Sequence, residues 1–146
     1  LPVSYLSVDE ATSLSVPKGS LNQRDRDEIE SHVTHTYNFL RIIPWSEHLE
    51  DVPDIAYAHH EKMNGNGYPR QLSGDEIPLQ SKMMTIADIY DALTAWDRPY
   101  KKAMPAERAL KILGFEAKDN HIDPELLEIF IGARLYDLVK RPEARH

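Results

Sequence analysis

Apolar positions along the chain recur at helical spacing, and no stretch shows the two-residue alternation of a half-buried strand. The first run, Ile29, Val33, Thr36, Leu40 and Ile43, follows Asn22, which can cap a helix together with Asp25 three residues on. It predicts a helix from about Gln23 to Ile43, stopped by Pro44. Asp51 offers a second cap and Pro53 an early-turn proline, so that Val52, Ile55, Ala56, His59 and His60 share one face of a short helix. That helix is expected to end near Lys62, because Asn64-Gly65-Asn66-Gly67 is a run of residues that tolerate positive φ. From there to Pro78 the chain reads as a loop too long for a mere connector, and such loops often carry function.

A third helix is expected from about Gln80 to Ala95, with Met83, Met84, Ile86, Ala87, Tyr90 and Leu93 on its apolar side, before Arg98-Pro99-Tyr100 interrupts it. A fourth runs from about Pro105 to Leu113 and is ended by Gly114. A fifth starts at Pro124 and carries Leu126, Leu127, Ile129, Phe130, Leu135, Leu138 and Val139. The fold class is therefore all-α: a compact multi-helix bundle with a long loop between the second and third main helices. Residues 1–21 show no sustained period and end in the turn signal Pro17-Lys18-Gly19-Ser20, so they read as an irregular lead-in to a helical domain over 22–146.

Length and composition narrow the function. At 146 residues the chain suits one packing unit, and 41% hydrophobic residues are too many for a disordered segment. A net charge of −7 argues against a broad DNA or RNA surface, which needs clustered Lys and Arg. A small anionic ligand held by a few local cations remains compatible. With no cysteine, any metal must sit on histidine and carboxylate ligands; the same absence fits a cytoplasmic location. No apolar run is long enough to span a bilayer.

The candidate chemistry is carried by histidines and acids on successive helices. On a helix, the side chains of His59 and His60 diverge by roughly 100°, so they suit two metals of one cluster, or a metal and a phosphate, better than one shared ion. The alternative is a pair of helix-end histidines favoured by the helix dipole. Asp88 sits between Ile86-Ala87 and Ile89-Tyr90 and is expected to point inward, where a carboxylate needs an arginine, a metal or several donors. Asp91, one turn on, suits a supporting role, orienting a ligating histidine or capping a neighbouring helix. His32, beside the apolar stripe of the first helix, is expected inward and His35 outward.

The string HHEKMNGNGYPRQLSGDEIPLQSKMMTIADIYDALTAWDRPYKKAM, from His59 to Met104, resembles the signature half of the HD-GYP family, with the GYP standing as Gly67-Tyr68-Pro69. The resemblance extends upstream through VPKGSLNQRDRDEIESHV and downstream through MPAERALKIL and IDPELLEIF, covering about Val16 to Phe130. It implies an HD-domain helical fold and a bacterial signalling phosphodiesterase that hydrolyses cyclic di-GMP using two or three divalent metals, iron or manganese. His32, His59, His60 and Asp88 are the implied metal ligands. Tyr68, Pro69, Arg98 and Lys101 are implied to hold the nucleotide and its phosphates, and Gly65 and Gly67 to let the loop approach it closely. Glu61 is expected either to orient ligands or relay protons, or to be a solvated helix-end acid. The implied reaction is metal-assisted hydrolysis, with water attacking phosphorus in line with the leaving ribose oxygen. The family also implies contact with diguanylate cyclases through the GYP loop.

Two departures bear on that expectation. The family's His-Asp doublet occurs nowhere in this sequence; either its helix belongs to a longer protein, the reading favoured by a chain that starts at Leu1, or this member lacks it. Asn64 stands where the family has aspartate, which keeps a hydrogen-bonding oxygen and gives up the charge, so a positioning role survives and proton transfer does not. A degenerate domain that binds the nucleotide or a partner without hydrolysis is the alternative reading.

Overall fold

The computed structural model describes residues 22–95 and 102–138. All regular structure among them is helical: α1 (Gln23–Leu40), α2 (Val52–Tyr57), α3 (Leu79–Thr94), α4 (Ala106–Lys118) and α5 (Pro124–Gly132), with short 3-10 turns at Gly74–Glu76 and Leu135–Asp137. Among the described residues no helix is long and apolar enough to cross a membrane. The chain divides into two compact units between Tyr57 and Ala58.

The first unit pairs α1 with α2. The expected capping box opens α1, with the Asp25 amide donating to Asn22 Oδ1 at 2.9 Å and the Asn22 amide to Asp25 Oδ2 at 3.3 Å. The helix ends at Leu40, three residues before the expected Ile43. Ile42 and Ile43 donate back to Phe39 and Leu40 in a tightened last turn, and the Trp45 indole donates to the Leu40 carbonyl at 2.8 Å. The Tyr37 and Tyr57 rings stack at 4.2 Å, and the Tyr37 hydroxyl donates to Asp54 at 3.3 Å. His32 is exposed, as His35 is, so the inward placement expected for His32 is not found; Val33 is the buried residue of this helix.

The second unit holds the main core: Ile86, Tyr90, Ala109, Leu113, Ile122 and Leu127 from α3, α4, α5 and the α4–α5 connection. On α3 the buried positions are Ser81, Ile86, Tyr90 and Thr94, whereas Met83, Met84 and Ala87, expected on the apolar side, are exposed. At its first turns α3 presents small polar residues inward. There the Thr85 hydroxyl bonds the carbonyls of His59, at 2.6 Å, and of Ser81, at 2.9 Å. The fourth helix runs through Gly114 to Lys118, because Leu113 and Ala117 continue its core face and nothing crowds Gly114. Asn120, at φ 57°, marks the left-handed stop instead.

Asp123 caps α5 by accepting from the amides of Glu125 and Leu126, and its other oxygen lies 3.6 Å from Lys82 Nζ on α3. The last helix is shorter than expected: it ends at Gly132, Arg134 turns left-handed at φ 51°, and Tyr136 comes back against Tyr90 and Phe130 with ring centroids 6.2 and 6.3 Å away. Leu135 and Leu138 are consequently exposed; Val139 lies outside the described residues.

Candidate functional site

The structure corrects the geometry of the histidine pair. The second helix stops at Tyr57, short of the expected Lys62, and His59 and His60 lie in the turn that follows. Released from helical spacing, their rings converge, with centroids 3.9 Å apart and planes inclined by 43°. The GYP loop returns against this turn: a Cβ on Gly67 would lie 2.4 Å from Lys62 N, 2.5 Å from Glu61 Cα and 2.6 Å from the His60 carbonyl oxygen. Only glycine fits so close a backbone approach. The Tyr68 amide then donates to that same His60 carbonyl at 3.3 Å, and the Tyr68 ring stacks on the His60 ring at 4.9 Å and 14°. His60 thus stands between His59 and Tyr68.

Glu61 is not the solvated helix-end acid that was one of the alternatives for it. It is 3% exposed, and its carboxylate accepts the amides of Arg70, at 2.8 Å, and Leu72, at 2.9 Å, across the loop. Between those donors Gln71 sits at φ 54°, a conformation that costs a residue with a Cβ on the order of 1 kcal/mol. The Tyr68-Pro69 peptide is cis. Further fastenings hold the loop's ends: Asn64 Oδ1 accepts from Asn66 N at 3.0 Å, Met63 N donates to the His121 carbonyl at 3.1 Å, and Gly74 N donates to the Met63 carbonyl at 3.1 Å. Gly65 adopts φ +80°, while Gly67 serves close approach.

Asp88 is half-buried on α3, and Asp91 is exposed. Thr85, which bonds the His59 carbonyl, precedes Asp88 by three residues, about 4.5 Å along the helix axis. One hydroxyl therefore ties the histidine turn to the helix that carries the acid. His32 belongs to the first unit, and Arg98 and Lys101 lie outside the described residues. Thr85 and the loop-clamping role of Glu61 were missed in the sequence reading; the available signal was an acid directly before a glycine-rich loop whose amides need acceptors.

Imidazole nitrogens are common ligands of divalent transition metals, so the donor type at His59 and His60 is compatible with a metal of that class. In number the fit falls short, since among the described residues no group of three or more histidine, aspartate or glutamate side chains is arranged to hold a metal ion.

The family model for the HD domain matches residues 8–126. The chain is 41% identical over 108 residues to the 3'3'-cGAMP-specific phosphodiesterase 3 of Vibrio cholerae, covering 73% of this chain and 22% of that protein. It is 43% identical over 87 residues to a cyclic di-GMP phosphodiesterase of the same organism, covering 60% and 17%. A cyclic di-GMP phosphodiesterase of Thermotoga maritima is 35% identical over 108 residues, covering 72% and 28%. The chain thus spans between 17% and 28% of the length of these relatives.

Proposed function

Since the chain belongs to the HD domain family and is of the HD-GYP type, we propose that it forms the signature-bearing part of a metal-dependent phosphodiesterase acting on cyclic di-GMP or a related cyclic dinucleotide. The observation that carries this reading is the contact of His60 with Tyr68, which joins the histidine pair to the GYP loop. His32, His59, His60 and Asp88 are the proposed metal ligands, and iron or manganese the proposed metal. Divalent metals supply an activated water and charge neutralisation for phosphodiester hydrolysis. The residues of this chain bind and orient: Tyr68 offers a ring face and a hydroxyl to a guanine, Pro69 shapes the loop, and Arg98 and Lys101 pair with phosphate. Asp91 and Asn64 support their neighbours.

A second reading is a domain that binds a cyclic dinucleotide, or a diguanylate cyclase through the GYP loop, without turnover. The observation favouring it is that no three-ligand group occurs among the described residues. One experiment separates the two. The chain is purified without chelator, its iron and manganese are measured, and it is assayed for binding and hydrolysis of cyclic di-GMP and 3'3'-cGAMP. An enzyme carries two or more metals per chain and turns over; a binding domain retains the nucleotide intact with less metal. Asp88→Ala is expected to remove metal with little loss of helix content by circular dichroism, and a variant that keeps its metal counts against the ligand assignment.

A further inference from the structure

We propose that Glu61 is a positioning residue that couples the GYP loop to the His60 imidazole, so that what happens at the loop sets the orientation of that ring. Glu61 is covalently next to His60, is 3% exposed, and spends both carboxylate oxygens on loop amides, Arg70 N and Leu72 N. Two charge-assisted bonds from one buried carboxylate hold the left-handed Gln71 between them. The loop they fix reaches back through Gly67, in backbone contact with residues 60–62, and through Tyr68, whose amide bonds the His60 carbonyl and whose ring covers the His60 ring. Carboxylate, loop, tyrosine and imidazole therefore close a circuit that begins and ends on adjacent residues. On the other side, the His59 carbonyl is fixed by Thr85, so displacement of the loop falls on His60 and not on the whole turn.

The functional weight of this coupling rests on the reading of His60 as a ligand and Tyr68 as a nucleotide contact. Under it, a guanine or a partner protein seated on Tyr68 changes the metal affinity of His60, and metal changes the affinity of the loop by the same factor, because binding linkage is reciprocal. Glu61 itself touches neither metal nor substrate in this scheme.

The test needs no metal, so a failure of the metal reading leaves its result intact. Imidazole resonances of His60 are recorded by NMR, together with amide hydrogen exchange, in the wild-type chain, Glu61→Gln, Tyr68→Leu and the double variant. A glutamine accepts one of the two amides and presents its own N–H₂ to the other, so exchange at Arg70 and Leu72 is expected to accelerate tenfold or more. The His60 ring signals are expected to move towards their positions in Tyr68→Leu, and the double variant to move them no further. Faster exchange with an unmoved His60 ring overturns the proposal and leaves Glu61 as a loop fastener alone. Should Glu61→Gln not fold, the wild-type chain in low urea decides: the proposal requires that Arg70, Leu72 and the His60 ring lose protection in one opening, and separate openings overturn it.

Discussion

Two glycines with opposite environments show how much of this molecule is decided at single residues. Gly67 lies where an added Cβ would meet three backbone atoms at 2.4–2.6 Å, none of which can swing aside as a side chain would. Gly67→Ala must push the loop off the His60–Lys62 backbone, breaking the Tyr68 amide bond and straining the Glu61 clamp. The expected loss is on the order of 3 kcal/mol, measured by urea unfolding, with loss of the His60–Tyr68 ring contact. Gly114 is the reverse case. It is helical, with nothing within 4 Å of an added Cβ, so Gly114→Ala is expected to stabilise α4 by up to about 1 kcal/mol. A destabilised Gly114→Ala would show that the face beyond α4 is covered. From the sequence, Gly67 was expected to let the loop approach a nucleotide and Gly114 to end its helix. The structure brings Gly67 against the backbone of residues 60–62 and carries α4 past Gly114 to Lys118, because a glycine's role depends on what approaches it, and approach is tertiary information.

At the level of elements, the five helices were legible from apolar spacing and caps, and so was the end of α3 near Ala95, whereas the ends of the other four were not. The capping box at Asn22 and the proline opening at Pro124 are local chemistry and stand where expected. Two of the ends that moved border on packing that the local sequence does not show: α2 stops just before the turn at residues 60–62 that Gly67 approaches, and α5 stops before Tyr136 packs on Tyr90, far back in the chain. The early end of α2 also undid the expected divergence of His59 and His60, since that expectation assumed helical geometry. Glu61 was legible as a candidate and its hydrogen-bond partners were not, because they are amides nine and eleven positions away. Asp123 joins two elements at once, capping α5 while facing Lys82 of α3, with side chains only 16% and 11% exposed. Asp123→Ala is expected to cost about 1 kcal/mol for the cap. A double-mutant cycle with Lys82→Ala is expected to return a further coupling of about 0.5–1 kcal/mol, and a cycle that closes at zero would reduce Asp123 to a cap.

For the whole molecule, the linkage between ligand and stability offers a reading that does not depend on catalysis. The proposed ligands His59 and His60 stand in a turn fixed by Thr85 and by the loop, an arrangement that the unfolded chain lacks. A divalent metal that needs this arrangement binds the native state and not the unfolded one. It therefore raises stability by about 2.7 kcal/mol at a free concentration one hundred times its Kd. Manganese added to the chelator-treated chain is expected to raise the midpoint of thermal unfolding in a concentration-dependent way, and chelator to reverse it. Asp88→Ala should abolish the rise, whereas Met83→Ala, a change at an exposed position of the same helix, should leave it intact. A rise that survives Asp88→Ala locates the metal away from the proposed ligands. No rise at any concentration, with cyclic di-GMP still shifting the midpoint, identifies a nucleotide-binding domain that works without metal. Between those outcomes the histidine pair, the acid on α3 and the loop are either one ligand-binding centre or a packed turn beside a nucleotide site, and stability measured against metal and nucleotide separately distinguishes them.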